Sequence, residues 1–394
     1  MKTIFVLLLV LVLVFAGYRY SFRRLSSSFL PWFGLTGTEF LFLGVLLGPA
    51  FSGVLDEPTT QGLIPLSGSV LGWVGLLYGF QFELAKLRRF PGEFLWAALI
   101  ISGITMAVMG AAGYWGMGFL GGVSPSWKTS AALVLAATAA ASAQTGLALA
   151  PAWLAPRRQG LVTLLRYISG LDGAAALAVF CLIFLFAPAP PCPASGIPGL
   201  PGVAILSGMG FILVFTLLLN RRQPSDEMLM VVIAMVLLLG GMASLAGFSP
   251  LVLNFLAGLW LVNVSRHKER IYRRLAGVEK PFYLLLLVFL GAAWKISSPW
   301  IFAVAAGYWL LRFLAKGAGG ALATRLPGLG DQPRSLGLGL LEQGGLAMAF
   351  LLEFHHAFPP ALTEPVLGVV LLAAMADDLV NPWLLNRLLG RVSA

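Results

Sequence analysis

Charge is scarce in this chain: Asp, Glu, Lys and Arg make up 11% of its 394 residues, against roughly 25% in an ordinary soluble domain. With 59% of the residues hydrophobic, most of the folded surface must face something other than water, which excludes a soluble globular protein. Acids are the scarcer sign, 16 against 26 bases. Yet no basic run is interleaved with aromatic residues, so the excess of +10 does not describe a nucleic-acid binder. Cysteine is nearly absent. Cys181 falls inside an apolar stretch and Cys192 in the proline-rich loop beyond it, which gives neither a disulfide framework nor a metal or redox motif. No glycine-rich phosphate loop appears, and the longest polar connector is residues 265–279. A fused nucleotide-driven motor, an enzymatic activity and a resident cofactor are therefore not expected.

Long apolar runs are what the chain does have. Thirteen can be delimited, at 3–18, 29–51, 61–84, 93–118, 129–153, 161–187, 198–219, 227–247, 249–264, 280–295, 298–317, 335–357 and 363–386. Most approach the roughly 20 residues a helix needs to cross about 30 Å of hydrocarbon. They are continuously apolar rather than alternating, so they predict helices and not the strands of a barrel. Helices also satisfy every backbone polar group internally, as lipid demands. The fold class is an all-α polytopic membrane protein. The first run, with Lys2 ahead of an apolar core, has the form of a signal peptide; it ends in Arg19, Arg23 and Arg24 without a small-residue cleavage site, so a retained helix is expected. Placing the N-terminus outside puts most Lys and Arg residues in inner loops. The outer loops are then acidic (Asp56, Glu57) or neutral and proline-rich (188–201). Basic loops stay cytoplasmic, so a bacterial inner-membrane protein is expected, N-terminus outside and C-terminus inside.

An ionisable group within hydrocarbon is expensive and marks a functional candidate. Asp172 lies about eleven residues into the sixth segment, roughly 16 Å along a helix, among Gly170, Leu171, Gly173 and Ala174. It reads as an ion or proton site, or else as a carboxylate tying two helices together. The fifth segment carries Thr138, Ser142, Gln144 and Thr145 among alanines: either small-residue packing or an unwound stretch facing a cavity. In the twelfth, Gly337-Leu-Gly-Leu-Leu-Glu-Gln-Gly-Gly345 holds Glu342 and Gln343, a second polar and glycine-rich interruption. Two interrupted helices, one in each half of a chain, point to an inverted-repeat transporter. Lys316 and Arg312 occupy the inner half of the eleventh segment. Arg312 is expected to snorkel to the surface, while Lys316 could balance a buried carboxylate. Glu83 is expected at the interface beside Lys86 and Arg88. Asp377 and Asp378 are expected to be solvated or to cap backbone, and His355 and His356 diverge too far on a helix to share a metal.

In order along the helices, Leu47-Gly-Pro-Ala50, Gly79-Phe-Gln-Phe-Glu-Leu-Ala-Lys-Leu-Arg-Arg89, Ser169-Gly-Leu-Asp-Gly173, Phe255-Leu-Ala-Gly-Leu259, Pro281-Phe-Tyr with Gly291, Lys316-Gly-Ala-Gly and the run from Gly337 resemble motifs of the monovalent cation:proton antiporter superfamily. This group comprises the sodium/proton exchangers and their potassium-efflux relatives, and the resemblance covers nearly the whole chain. It implies a core domain (87–190, with the ion site, and 297–394), a linker helix (191–224) and a dimerisation domain (1–86 and 225–296). The fifth and twelfth segments would be two crossed discontinuous helices, and the protein a homodimer. Ion and proton would compete for Asp172, with Thr138, Ser142, Gln144 and Thr145 around it and Lys316, Glu342 and Gln343 balancing charge. Some positions depart from the family pattern. Leu171 replaces an Asn or Asp, and Ile168 stands where some relatives have a Glu paired with the basic residue. Glu342 and Gln343 replace a Pro and an Arg. Lys316 thus lacks its family partner, which either Glu342 or Asp172 itself is expected to supply. The implied activity is exchange of Na⁺, with K⁺ or Li⁺ as alternatives, for H⁺ across the lipid bilayer by alternating access. A non-transporting scaffold or sensor on a degenerate exchanger fold, favoured by Leu171, and a carrier of another solute such as an organic anion are the competing readings.

Overall fold

Continuous apolar composition becomes helix throughout the computed structural model, which describes residues 2–21, 37–49, 51–118, 124–143, 156–186, 200–221, 225–295 and 298–390. The helices are α1 (Lys2–Ser21), α2 (Thr38–Leu47), α3 (Glu57–Gly62), α4 (Ile64–Gly79), α5 (Leu84–Leu87), α6 (Gly92–Gly116), α7 (Pro125–Ala140), α8 (Pro156–Phe186), α9 (Leu200–Leu219), α10 (Ser225–Leu245), α11 (Pro250–Val264), α12 (Lys268–Gly277), α13 (Glu279–Ala293), α14 (Trp300–Ala323), a 3₁₀ turn η1 (Leu336–Leu340), α15 (Gly345–Ala357) and α16 (Pro360–Gly390). Each of the thirteen apolar segments contains helix. Among the described residues, four helices are individually long and apolar enough to cross a membrane: Gly92–Gly116, Gln159–Phe184, Glu227–Leu245 and Trp300–Ala323. Several of the others are shorter than the runs that announced them. Caps set some of the boundaries. Asp56, Ser124 and Ser249 accept from Thr59, Trp127 and Val252 N–H at 3.2, 3.4 and 3.0 Å ahead of α3, α7 and α11. Each of these helices has proline in its first turn, where the missing N–H is not needed.

The chain divides into two compact units. One is drawn from Met1–Ser27, Gly37–Arg89 and Phe184–Ala293. In it α4 meets α11 backbone to backbone: a Cβ on Gly75 would overlap the Leu251 carbonyl, and one on Gly258 the Leu76 carbonyl. The α2–α13 pair repeats the arrangement with Gly44 against Val288 O and Gly291 against Leu41 O. Close approach through small residues is how helices associate where lipid removes the hydrophobic drive between them. Leu206 and Leu217 of α9 stay 75% and 70% exposed, as lipid-facing side chains do.

The basic connector at 265–279 was expected as a loop and is instead largely the helix α12. Its Ile271 and Leu275, four residues apart, are buried while Tyr272, Arg273 and Arg274 are exposed; this is the spacing of an amphipathic helix, obscured in the sequence by the density of charge. α12 and α13 meet at a bend of 48°. Glu83 pairs with both Lys86 and Lys268 at 2.8 Å, and the Glu83 carboxylate holds the Lys86 ammonium above its ordinary value.

The second unit contains Phe90–Ile183 and Trp294–Ala394. Its apolar cluster joins Ala97 and Ile101 of α6, Leu165 and Ile168 of α8, Leu336 and Leu340 of η1 and Leu385 of α16. Two interruptions lie beside this cluster. α7 stops at Ala140 and the chain turns extended at Ala141 (φ −59°, ψ 120°). The segment between η1 and α15, residues 341–344, is also non-helical. The interruptions touch: Ala143 N–H donates to Glu342 O at 2.7 Å.

Candidate functional site

A helix that ends inside a protein leaves its last carbonyls without amide partners. In α7 these belong to Thr138, Ala139 and Ala140, and each receives a side-chain donor from elsewhere in the unit. Gln343 Nε2 donates to Thr138 O at 3.0 Å, Arg312 Nε to Ala139 O at 2.8 Å, and Lys316 Nζ to Ala140 O at 2.8 Å. Two of the three donors are cations, which also answer the negative end of the helix dipole. α14 supplies both, at positions four residues apart and so on one face, and both are fully buried.

Lys316 carries the geometry to Asp172. Its Nζ lies 2.9 Å from Asp172 Oδ2 and 2.9 Å from Ser142 Oγ. With Ala140 O these three acceptors use all three ammonium protons, leaving none for Glu342. Asp172 is fully buried on α8. Ser142 donates to its Oδ2 at 2.9 Å, and Ser102 of α6 lies 2.5 Å from its Oδ1. The Ser102 hydroxyl is also 2.8 Å from Ala98 O; its single proton goes to the charged acceptor, the stronger of the two. Ser169 donates to Ser142 O at 3.1 Å, pinning the extended stretch to α8. Carboxylate, hydroxyl and carbonyl oxygens converge here, the donor set that suits a hard cation. Ser142 is the partly exposed member of the group.

Of the residues singled out from sequence, the structure thus brings Asp172, Ser142 and Lys316 together. Gln144 and Thr145 lie outside the described residues. Thr138 turns its hydroxyl to Val134 O (2.8 Å) and to Tyr308 Oη (3.3 Å). Gln343 joins that group, while Glu342 accepts from Asn381 Nδ2 at 3.1 Å. Of the two partners expected for Lys316, it is Asp172 that lies against it.

Two expectations are corrected. Arg312 does not snorkel: it pairs with Asp377 at 2.6 Å, both side chains fully buried, and its Nη1 also reaches Leu341 O. Asp377 is accordingly neither solvated nor a backbone cap. It accepts from Arg312 and, at 2.9 Å, from Trp309 Nε1. Sequence reasoning placed both near a helix end and had no means of seeing that α14 and α16 cover one another there. Ser102 was missed for a related reason, since one serine in a long apolar run is indistinguishable from a residue bonded back to its own helix. The departures at Leu171 and Ile168 have a plain account: both pack with the apolar cluster, and Ser102 supplies the polar contact from another helix.

Among the described residues, no group of three or more His, Cys, Asp or Glu side chains could hold a metal ion. No curated protein matches the chain. The structure is similar to that of the sodium proton antiporter MjNhaP1 from Methanocaldococcus jannaschii, with a TM-score of 0.66 and 16% sequence identity over 99% of this chain and 100% of that one. The family model described as sodium/hydrogen exchanger, transmembrane, matches residues 10–389, and the chain therefore belongs to the sodium/hydrogen exchanger family.

Proposed function

We infer that the protein exchanges a monovalent cation, Na⁺ with K⁺ or Li⁺ as alternatives, for H⁺ across the bacterial inner membrane, and that Asp172 is where the two compete. The observation that carries this is the Lys316–Asp172 pair at 2.9 Å, fully buried yet completed by oxygen donors from two other elements. A bare carboxylate in a low-dielectric interior is costly, so Asp172 requires one positive partner in every state: the ammonium, a proton or a transported cation. Only one fits at a time. Arrival of a cation therefore releases one proton, from the Asp172 carboxyl or from the Lys316 ammonium as that pair opens, and coupling needs no separate motor. A single carboxylate balanced this way favours one-for-one exchange. Movement of the core between inward- and outward-open forms, a homodimer, and an outside N-terminus with an inside C-terminus complete the reading.

The test is exchange in proteoliposomes with an imposed pH gradient and each alkali cation in turn. The wild-type protein is expected to dissipate the gradient on addition of its cation, and Asp172→Asn to lose that response entirely. Full activity in Asp172→Asn would remove the residue from the mechanism. A wild-type protein silent to every alkali cation would favour a scaffold or a carrier of another solute.

A further inference from the structure

An unbroken α7 would give the Ala143 N–H to Ala139 O. Here that N–H goes to Glu342 O at 2.7 Å, and Arg312 Nε takes its place at Ala139 O at 2.8 Å. Leu341 O, released by the second interruption, is met by Nη1 of the same guanidinium. Arg312 therefore spans both breaks, one planar group holding the end of α7 and the end of η1. A lysine would offer its donors from a single point, without the planar fork that sets the spacing between the two carbonyls. Asp377 of α16 cancels the charge at 2.6 Å and is itself oriented by Trp309 Nε1. One turn along α14, Lys316 holds Ala140 O, the carbonyl next in the chain to the one Arg312 holds.

We propose that Arg312, neutralised by Asp377, is a positioning residue for exchange: it fixes the two broken ends so that Ala140 O and Ser142 Oγ stand where Asp172 and its positive partner need them. The proposal rests on the reading of Asp172 as the exchange site. It goes beyond that reading by assigning a function to a second buried ion pair that touches neither the carboxylate nor its ligands. Its sign is distinctive. A pair that merely stabilised the fold would change how much protein folds and at what temperature it melts, and would leave the cation's apparent KM alone. A pair that places ligands changes KM in protein that is still folded.

The experiment measures Na⁺-dependent exchange in proteoliposomes over a range of Na⁺ concentrations, with thermal melting of each variant alongside. Arg312→Gln combined with Asp377→Asn removes both charges and leaves no lone buried ion. It is expected to raise the apparent KM about tenfold while the maximal rate stays within about threefold, the signature of lost positioning rather than lost chemistry. Arg312→Lys combined with wild-type Asp377 keeps the charge without the fork and is expected to fall between. An unchanged KM in the folded double variant overturns the proposal, whatever happens to its melting temperature. If the double variant does not fold, Trp309→Phe, which removes only the donor orienting Asp377, replaces it: a raised KM supports the proposal and an unchanged one overturns it. Asp172→Asn, run in parallel, separates the two levels. Activity there sinks the reading of the site and this proposal together, while an inactive Asp172→Asn beside an unchanged KM sinks this proposal alone.

Discussion

In the unit that contains Gly37–Arg89 and Phe184–Ala293, the buried groups of α2, α4, α11 and α13 are apolar side chains, glycines and neutral polar residues such as Asn254. In the unit that contains Phe90–Ile183 and Trp294–Ala394, the buried set includes Asp172, Arg312, Lys316, Glu342, Glu353 and Asp377. Both units are built of apolar helices, those of the second being the less hydrophobic. The first unit teaches that glycine-mediated contact suffices to hold these helices together. Buried charge in the second is then surplus to packing, and its arrangement around two helix breaks is what needs a functional account.

The comparison can be broken most forcefully at Lys316. Lys316→Met leaves the Asp172 carboxylate buried without its ion-pair partner, a loss of about 3–5 kcal/mol. The variant is expected to melt well below wild type in detergent and to show no exchange; a wild-type melting curve would mean that the pair is not part of that unit's core. Next comes the size-sensitive unit. Gly75→Ala forces a methyl into the Leu251 carbonyl and is expected to cost about 1–3 kcal/mol, with the exchange rate per folded molecule unchanged. Exchange lost without a drop in melting temperature would erase the division between a packing unit and a working one. Ser102→Ala sharpens the contrast from the other side. It removes the hydroxyl at Asp172 Oδ1, worth about 1–2 kcal/mol, and is expected to raise the Na⁺ KM about tenfold while lowering the melting temperature no more than Gly75→Ala does. The smallest effect belongs to Glu83→Gln, where solvent reaches the Lys86 and Lys268 partners, 68% and 33% exposed, and limits the loss to within about 1 kcal/mol. Its pH dependence has a definite sign. Glu83 raises the Lys86 value in the folded state. That contribution is therefore full below the ordinary lysine value near 10.4 and disappears as pH rises through the higher folded value. Melting of wild type and Glu83→Gln should accordingly converge in strong alkali.

The helical class was legible because apolar runs of membrane length admit few alternatives. Both interruptions were legible too, because Ser142 and the Glu342-Gln343 pair are polar where an uninterrupted span has no use for them. What escaped the sequence was pairing across helices. Arg312 and Asp377 are 65 residues apart in the chain, each near enough to a helix end that solvation was the simpler account. Ser102 and Asp172 are 70 apart, and nothing in either segment announces the other. The helix α12 was concealed differently: its apolar face is only Ile271 and Leu275, too narrow to stand out among so many basic side chains.

The exchange of amide partners at Ala143 and Glu342 has a consequence for how this region can rearrange. Because each interruption completes the hydrogen bonding of the other, neither can be wound into regular helix alone without orphaning groups in its counterpart. Any conversion must mend both at once or leave both open. The two breaks are therefore coupled through that bond, and an inserted or deleted residue on either side would disturb both.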